Sequence, residues 1–321
     1  MNPIVIDARS AVKPKRAQRD LIYMSKIPLP PAVKRPLVTV WNEAHRIGWL
    51  LRDHAAALPQ GRGEHCSVCG KTRRMLYRRR VIPPRLVELW GLTERQATAL
   101  ARKESSVCAG CGAKLRARRM ADVLLDLFPI KGRRASDLQS WSRSHEAGAL
   151  RIAEITRVDG VHEALSNLAR LHSSEYVPNV RLGAYVAGMR NESLMDLTYE
   201  DARFDLVLTS ETLEHVPDLE RALHEIHRVL VPGGQHVFTV PISPNSPQTF
   251  PRARLRPDGS FEEIAPEIRH PGGDVGYPVF TEIGLDFPEI LERAGFETEV
   301  RFAPVTDDDL AQVYVCRKPM A

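Results

Sequence analysis

The chain lacks the features that mark a membrane-spanning or secreted protein. No stretch approaches the ~18 uninterrupted apolar residues that a membrane-spanning helix requires, so the sequence predicts no membrane span. The N-terminal segment has no long apolar core followed by a small-residue cleavage site, so a secretory signal is not expected. Cytoplasm is therefore the expected location. Cysteine is scarce, with 5 residues in 321, and disulfides are not the first expectation for them in that compartment.

Internal repeats and low-complexity tracts are also missing. The rest of the composition is ordinary for a globular protein, with 43% hydrophobic and 26% charged residues. This composition excludes a collagen-like, mucin-like or wholly disordered chain. At roughly 150 residues per domain, the length predicts about two domains.

Charge is distributed unevenly along the chain. Residues 1–145 contain 29 Lys and Arg against 11 Asp and Glu, whereas residues 146–321 contain 16 against 29. A split of this size predicts two functional parts. The basic half either docks on the acidic half and is otherwise solvated, or attracts a polyanion such as RNA or a phosphorylated substrate.

Composition divides the chain into four segments. Residues 1–60 are a basic arm punctuated by prolines, residues 61–128 hold four of the five cysteines, and residues 129–147 form a polar linker. From 148 to 321 the pattern alternates between strands and helices, which predicts an α/β fold with a mostly parallel sheet and helices on both faces. A Pro- and Gly-rich insertion, 241–280, interrupts this second half and exceeds the length of a normal connection.

Individual elements of the second half are also predicted. The apolar run 204–210 indicates a buried strand, and residues 161–171 carry a helical apolar stripe. A second stripe over 219–230 follows Asp218, a residue type that caps helices.

Two C-x-x-C-G hooks, separated by 38 residues, contain the four clustered cysteines. Each hook places two thiolates on one metal, and two hooks complete a tetrahedral sulfur shell that suits zinc. An iron–sulfur cluster, disulfides or free thiols are the alternatives, and His65 is a weak alternative ligand. Four cysteines leave no open position, so the zinc is expected to be structural. The predicted ligands are Cys66, Cys69, Cys108 and Cys111.

Residues 204–241 read FDLVLTSETLEHVPDLERALHEIHRVLVPGGQHVFTVP. This segment resembles the central part of class I S-adenosylmethionine (SAM) methyltransferases of the type 11 group, which run from an FDLV strand through an EHV turn and an RVL helix to PGG. Weaker agreement extends from residue 150 to the C-terminus. With its cysteine hooks, the chain also looks like a bacterial subgroup of zinc-hook methyltransferases. The resemblance implies a Rossmann-like methyltransferase sheet with helices on both faces, preceded by a small N-terminal zinc-binding domain.

The resemblance also implies a set of cofactor contacts. In the family, acidic residues at successive strand ends bind the ribose and flank the adenine, and the end of the fourth strand lines the methionine. Open α/β sheets bind ligands at this edge. The residues that match these positions are Glu154, Glu175, Asn191, Glu192, Ser210 and Glu211.

One loop departs from the family pattern. The family's first loop is usually acid-x-G-x-G-x-G, whereas the loop after Glu154 reads Ile-Thr-Arg-Val-Asp-Gly, with a single glycine. Either a variant loop binds SAM, with Arg157 pairing the methionine carboxylate, or SAM binding has been lost.

Acceptor residues are expected near the EHV turn and in the insertion. His215 follows the fourth strand, and an imidazole there is suited to deprotonate a hydroxyl, although many methyltransferases work by alignment alone and His215 would then be an ordinary loop histidine. In the family the region of the insertion commonly covers the acceptor. His270, Arg252, Arg254 and Tyr277 are therefore candidates for acceptor contact, or residues of a surface loop.

Three functional hypotheses follow from the sequence. The first is a SAM-dependent methyltransferase acting on an oxygen or nitrogen of a small molecule, with the zinc segment forming part of the acceptor site or a homodimer contact. The second is an RNA methyltransferase that uses the basic half for phosphate contacts. The third is a non-catalytic zinc-containing scaffold that has lost SAM binding, which the glycine-poor first loop favours.

Overall fold

The computed structural model describes residues 58–320, except 78–80, 257 and 271–275. These residues all belong to one of the two units into which the chain divides, Ala57–Ala321. Nearly all of the predicted basic arm, 1–60, which is part of the basic half with the predicted polyanion contacts, therefore lies outside the described residues.

From residue 145 onward, helices are interspersed among the described strands, and strands follow one another directly over 171–210 and 230–282. The strands are β1 (Leu58–His65), β2 (Thr72–Tyr77), β3 (Val107–Cys108), β4 (Ile152–Ile155), β5 (Leu171–Glu175), β6 (Tyr185–Val186), β7 (Met189–Asn191), β8 (Phe204–Ser210), β9 (Leu230–Thr239), β10 (Phe250–Pro251), β11 (Ala253–Leu255), β12 (Phe261–Glu263), β13 (Arg269–His270), β14 (Tyr277–Pro278), β15 (Thr281–Glu282), β16 (Glu297–Arg301) and β17 (Val313–Arg317). The helices are α1 (Pro84–Leu89), α2 (Glu94–Ser105), α3 (Leu115–Leu127), α4 (Leu138–Trp141), α5 (His145–Ala149), α6 (Val161–Leu165), a short 3-10 helix η1 (Leu213–His215), α7 (Leu219–Val229) and α8 (Phe287–Arg293). No helix in this described part is long and apolar enough to cross a bilayer.

The central sheet has the strand order β16-β17-β9-β8-β4-β5-β7-β6. Strands β7, β5, β4, β8 and β9 run parallel, and β6, β17 and β16 pair antiparallel at the two sides. The chain moves outward from β4 to β7 and then returns to β8 on the other side of β4. The strand order therefore reverses between β4 and β8, and such a reversal leaves a crevice at the carboxyl ends of the two strands.

Helices cover both faces of this sheet, as the sequence predicts. Ile152 joins an apolar cluster with residues of α3 and α6, whereas the next residue, Ala153, joins a second cluster with residues of α7 and α8. The alternation follows from the two-residue period of a strand. The Rossmann-like sheet with helices on both faces is confirmed.

Helix α7 forms for the local reasons that the sequence indicates. The Asp218 side chain accepts the Arg221 N–H at 3.0 Å and so caps the first turn. Its apolar stripe is buried against the sheet, at Ala222, Leu223, Ile226 and Val229. The predicted helix over 161–171 is shorter than expected and ends at Leu165, because residues 171–175 pair with β4 as strand β5.

The cysteine segment shares its core with the central sheet. Strands β1, β2 and β3 form a small sheet that holds the hooks, and α3 places Met120 and Leu124 in the same apolar cluster as Ile152 and Leu206. The predicted linker, 129–147, is folded: Trp141 is fully buried in that cluster and its indole N–H donates to the Phe128 carbonyl at 2.7 Å. A tryptophan packed between the two parts joins them, so 129–147 does not separate two cores.

The described part of the predicted insertion, 241–280, forms short antiparallel ladders. The pairs are β10 with β15, β11 with β12, and β13 with β14. Arg252 is buried beneath them and donates to the Glu282 carboxylate at 2.8 Å. The β13–β14 ladder brings His270 and Pro278 into contact with His215, shortly after β8.

Candidate functional site

The acid at the end of β4 is engaged inside the protein. Glu154 is fully buried, and its Oε1 accepts the Val158 N–H at 3.1 Å. Its Oε2 lies 2.6 Å from His162 Nδ1 and accepts the Ser173 hydroxyl at 2.8 Å. These contacts fix the first loop after β4, so the structure gives the Glu154 carboxylate a positioning role there.

The first loop keeps the backbone conformation that glycine usually provides. Thr156 stands where the family pattern has its first glycine, and its φ is +69°. A β-branched residue rarely adopts this left-handed region. Gly160, at the place of the third glycine, has φ +73°, and a Cβ built there would lie 2.8 Å from the Ala113 side chain. The second hook therefore packs directly on the first loop.

At the end of β5, Glu175 differs from Glu154 in being partly exposed. Its Oε1 accepts the Arg157 N–H at 3.0 Å, a bond that ties β5 to the first loop. The Arg157 side chain itself is exposed. A partly exposed carboxylate at a strand end is the arrangement that binding of sugar hydroxyls requires.

Beyond β7, Asn191 and Glu192 are both fully buried and hydrogen-bonded within the protein. The Asn191 amide accepts the Val177 N–H at 2.8 Å and donates to the Val180 carbonyl at 2.9 Å. Glu192 accepts from Arg190 at 2.6 Å and from the Thr198 N–H at 2.9 Å. Their side chains hold the surrounding loops, and these bonds engage the polar atoms that were predicted to flank adenine.

The end of β8 brings together charges that sequence reasoning missed. The hydroxyls of Ser210 and Thr239 share a hydrogen bond of 2.8 Å. Glu211, the next residue after Ser210, forms an ion pair of 3.0 Å with Lys103. Lys103 is fully buried and also donates to the Val240 carbonyl at 2.8 Å. Burial raises the pKa of Glu211, but the charges of Lys103 and Arg116 outweigh it and hold that pKa below its ordinary value.

Arg116 of α3 spans the crevice between β8 and the first loop. Its Nε donates to Ser210 Oγ at 3.3 Å, and its Nη2 donates to Asp159 Oδ2 at 3.2 Å. Glu104 is its third partner. The cysteine segment thus supplies two buried cations, Lys103 and Arg116, to the edge of the sheet where a ligand binds.

The four hook cysteines converge on one point. Their sulfur atoms all lie within 4.8 Å of one another, with Cys66 to Cys111 at 3.7 Å and Cys69 to Cys108 at 3.9 Å. Gly70 and Gly112 have positive φ after the hooks, and the Gly110 N–H donates to the Cys108 sulfur at 3.3 Å. The contact between Cys66 and Cys111 lowers the pKa of the first thiol and raises the pKa of the second. Four convergent sulfurs with N–H donors fit a tetrahedral thiophilic metal.

On the other side of β8, η1 and the β13–β14 ladder form a second group. His215 Nδ1 lies 2.7 Å from the Pro278 carbonyl oxygen, and its ring is 5.0 Å from that of His270 and 5.8 Å from that of Tyr277. Glu214 lies beneath both histidines and is almost fully buried. The structure thus brings together the predicted acceptor residues His215, His270 and Tyr277, and adds Glu214. Arg252 is buried instead in its contact with Glu282.

Comparisons with known proteins agree with this fold. Residues 141–238 match a family model described as a methyltransferase domain. A ubiquinone biosynthesis O-methyltransferase of Alkalilimnicola ehrlichii is 35% identical over 122 residues, which is 38% of this chain and 47% of that protein. A sarcosine/dimethylglycine N-methyltransferase of Halorhodospira halochloris is 47% identical over 47 residues, 15% of this chain and 17% of that protein.

A crystal structure of a SAM-dependent methyltransferase from Mesorhizobium loti covers 56% of this chain and 95% of its own, with 20% identity and a TM-score of 0.35. The chain spans less than half the length of the two curated relatives. The methyltransferase-domain match, residues 141–238, lies within a Rossmann-like sheet that continues to β17.

Proposed function

We propose that the chain is a SAM-dependent methyltransferase that transfers a methyl group to an oxygen or nitrogen of a small molecule. The observation that carries the proposal is the methyltransferase-domain match over 141–238, whose strands β4, β5 and β8 end around one crevice. Matches to an O-methyltransferase and an N-methyltransferase support both acceptor atoms. An RNA acceptor and a homodimer have no support from these relatives and are not part of the proposal.

Two residues are assigned to the cofactor. Glu175 accepts the ribose hydroxyls, because its carboxylate is partly exposed at the tip of β5. Arg116 pairs the methionine carboxylate, because its guanidinium already bridges Ser210 and Asp159 across the crevice. Arg157 of the first loop was predicted for this second role; its side chain is exposed, whereas that of Arg116 is buried in the crevice.

When bound, SAM supplies an electrophilic methyl group that needs no further activation. The chain then contributes alignment: Glu154 and its partners fix the first loop, and Lys103 and Glu211 fix the end of β8. Holding the acceptor in line with the methyl group is itself a large catalytic effect, equivalent to roughly 7–11 kcal/mol in favourable cases. The predicted base His215 lies on the acceptor side, and its role there stays a prediction.

We further propose that the four hook cysteines hold one structural zinc ion. Their thiolates fill a tetrahedral shell, and the hooks pack on the first loop through Ala113 and Gly160. The ion would therefore support the cofactor crevice without touching the reacting atoms. Reduced thiols of this kind are maintained in a reducing compartment, which supports a cytoplasmic location.

Calorimetry with SAM and with its demethylated product, S-adenosylhomocysteine, tests the cofactor assignment. We expect wild-type protein to bind both ligands, and Glu175→Gln to bind them about 10-fold more weakly, because an amide is a poorer acceptor for two hydroxyls. Glu163→Gln, an exposed change on α6, is the matched control and should bind as wild type. Wild-type protein that binds neither ligand would contradict the proposal.

A non-catalytic scaffold is the second candidate function. The observation that favours it is the internal pairing of the crevice: Glu154, Glu211 and Arg116 all have protein partners. The same calorimetry separates the two, because a scaffold gives no heat with either ligand.

A further inference from the structure

A buried carboxylate on the acceptor side lacks a hydrogen-bond partner. Glu214 is 1% exposed, and neither of its carboxylate oxygens has a hydrogen-bond partner among the described residues. Within ion-pair distance of Glu214 the described residues place two imidazole nitrogens: His215 Nε2 is 3.4 Å and His270 Nδ1 is 3.6 Å from Glu214 Oε1. A buried, unpaired carboxylate costs several kcal/mol, so a cation is expected to neutralise it.

Two buried arginines, Arg116 and Arg252, make their hydrogen bonds with other partners. Arg116 contacts Glu104, Ser210 and Asp159. Arg252 pairs with Glu282 at 2.8 Å and donates to the Pro266 carbonyl at 3.1 Å. The charge of Arg116 acts on Glu214 from a distance, but neither arginine donates a hydrogen bond to its carboxylate.

The contacts of His215 direct its Nε2 atom at Glu214. A carbonyl oxygen only accepts, so the 2.7 Å contact with Pro278 requires a proton on His215 Nδ1. In the neutral ring, Nε2 is then unprotonated. Histidines that bind metals almost always donate their other ring N–H to a carbonyl or carboxylate in this way.

The three side chains are held by elements that are themselves joined. The Phe280 N–H donates to the Glu214 carbonyl at 2.8 Å, and His270 pairs with Tyr277 in the β13–β14 ladder. One ligand atom from each of Glu214, His215 and His270 lies within 4.8 Å of the other two. Their spacing is set by backbone contacts, so the group is positioned without a ligand.

We propose that Glu214, His215 and His270 bind one divalent metal ion on the acceptor side of the crevice. Two imidazoles and one carboxylate favour a first-row transition ion such as Mn²⁺, Fe²⁺ or Zn²⁺ over Mg²⁺. Three protein ligands leave coordination positions open, in contrast to the four-thiolate shell. The open positions accept a hydroxyl of the acceptor, and best one with a second oxygen on the neighbouring carbon.

The role of the ion rests on the proposed methyl transfer, whereas the binding of the ion does not. Coordination lowers the pKa of the acceptor hydroxyl, whose proton is released to water. The resulting oxyanion attacks the methyl carbon as the carbon–sulfur bond breaks, and that electron pair stays on sulfur. The products are a methyl ether and S-adenosylhomocysteine.

Titration of the full chain with MnCl₂, following free Mn²⁺ by electron paramagnetic resonance, tests the site without any activity measurement. We expect wild-type protein to take up one Mn²⁺ per chain, because thiolate hooks compete poorly for this ion. Glu214→Gln and His270→Ala should each weaken uptake by about 10-fold or more. Glu220→Gln and His224→Ala, exposed changes on α7, are the matched controls and should leave uptake unchanged.

Glu214→Gln is also informative about folding. It removes a buried charge, so the metal-free variant should unfold at a higher temperature than metal-free wild type. A loss of Mn²⁺ uptake in this more stable variant cannot be attributed to misfolding.

The proposal is overturned if wild-type protein leaves millimolar Mn²⁺ free, or if both ligand variants take up Mn²⁺ as wild type does. Mn²⁺ uptake without SAM binding would keep the site and remove its role in methyl transfer. SAM binding without Mn²⁺ uptake would overturn the site and return His215 to the role of general base.

Discussion

The buried carboxylates on the two sides of β8 differ in whether the protein provides partners for their charge. On the cofactor side, Glu211 and Lys103 form an ion pair, and Glu154 is hydrogen-bonded to three neighbours. On the acceptor side, Glu214 is buried without a hydrogen-bond partner among the described residues. Since a buried charge is tolerated only when it is compensated, the first side has its main counter-charge within the protein, and the second is where we propose that a metal ion provides it.

The largest effect is expected from the hooks that support the cofactor side. Cys108→Ser should abolish zinc binding and remove stability on the order of 10 kcal/mol, the free energy that four-ligand structural zinc contributes. Metal analysis and thermal unfolding measure both quantities. The control is Cys316→Ala, a buried cysteine in β17 far from the hooks, which should keep the zinc content unchanged. Equal zinc content in Cys108→Ser would remove the four-thiolate site.

Removing a buried charge should change the free energy of unfolding in opposite directions on the two sides of β8. Lys103→Met leaves Glu211 buried without its main partner, and breaking a buried pair typically costs about 3–5 kcal/mol. Metal-free Glu214→Gln should instead gain stability. Denaturant unfolding at neutral pH checks both signs. Destabilisation by both changes would show that Glu214 is compensated in the protein, and the contrast between the two sides would be lost.

The pH dependence sharpens the Lys103 result. In wild type the pKa of Glu211 is lower in the folded than in the unfolded state, so its contribution is present above the unfolded pKa of about 4.3 and is lost as the pH falls through the folded pKa. In Lys103→Met the pKa of Glu211 rises. Protonation of Glu211 at lower pH then removes the cost of burying its charge without Lys103. The stability deficit should therefore begin to shrink above the unfolded pKa of about 4.3, as the pH falls through the raised pKa of the variant, and should continue to shrink down to the lowered folded pKa of wild-type Glu211. The control is Lys114→Met, which removes a partly exposed ion pair with Asp159. It should lower the free energy of unfolding by at most about 1 kcal/mol.

Sequence reasoning predicted the sheet well because its signals are local. The apolar run of β8 and the capped stripe of α7 are readable from neighbouring residues, and both elements form as predicted. The end of the helix at Leu165 was missed because pairing of β5 with β4, a tertiary contact, decides it. The hooks were predicted from spacing alone, and the structure brings their sulfurs together.

The cofactor contacts stay a prediction, because family positions alone do not show which side chains are engaged within the protein. Asn191 and Glu192 occupy the expected positions, but hydrogen bonds to their own loops engage them. Lys103 and Arg116 were missed because their partners lie about a hundred residues away in the chain. The sequence nevertheless contains an indication of both. Lys103 and Arg116 each lie on the apolar stripe of a helix, four residues from an apolar side chain, and a cation at such a position predicts a buried anionic partner.

The smallest effect concerns the first loop itself. Thr156 adopts φ +69°, a conformation that costs a β-branched residue roughly 1–2 kcal/mol, so Thr156→Gly should raise the free energy of unfolding by about 1 kcal/mol after the entropy cost of glycine. Thermal or denaturant unfolding measures the change. Thr306→Gly, at an exposed position without positive φ, is the control and should lose roughly 0.5–1 kcal/mol. A loss in both variants would mean that Thr156 makes a compensating contact, and the first loop would then be adapted to threonine rather than strained by it.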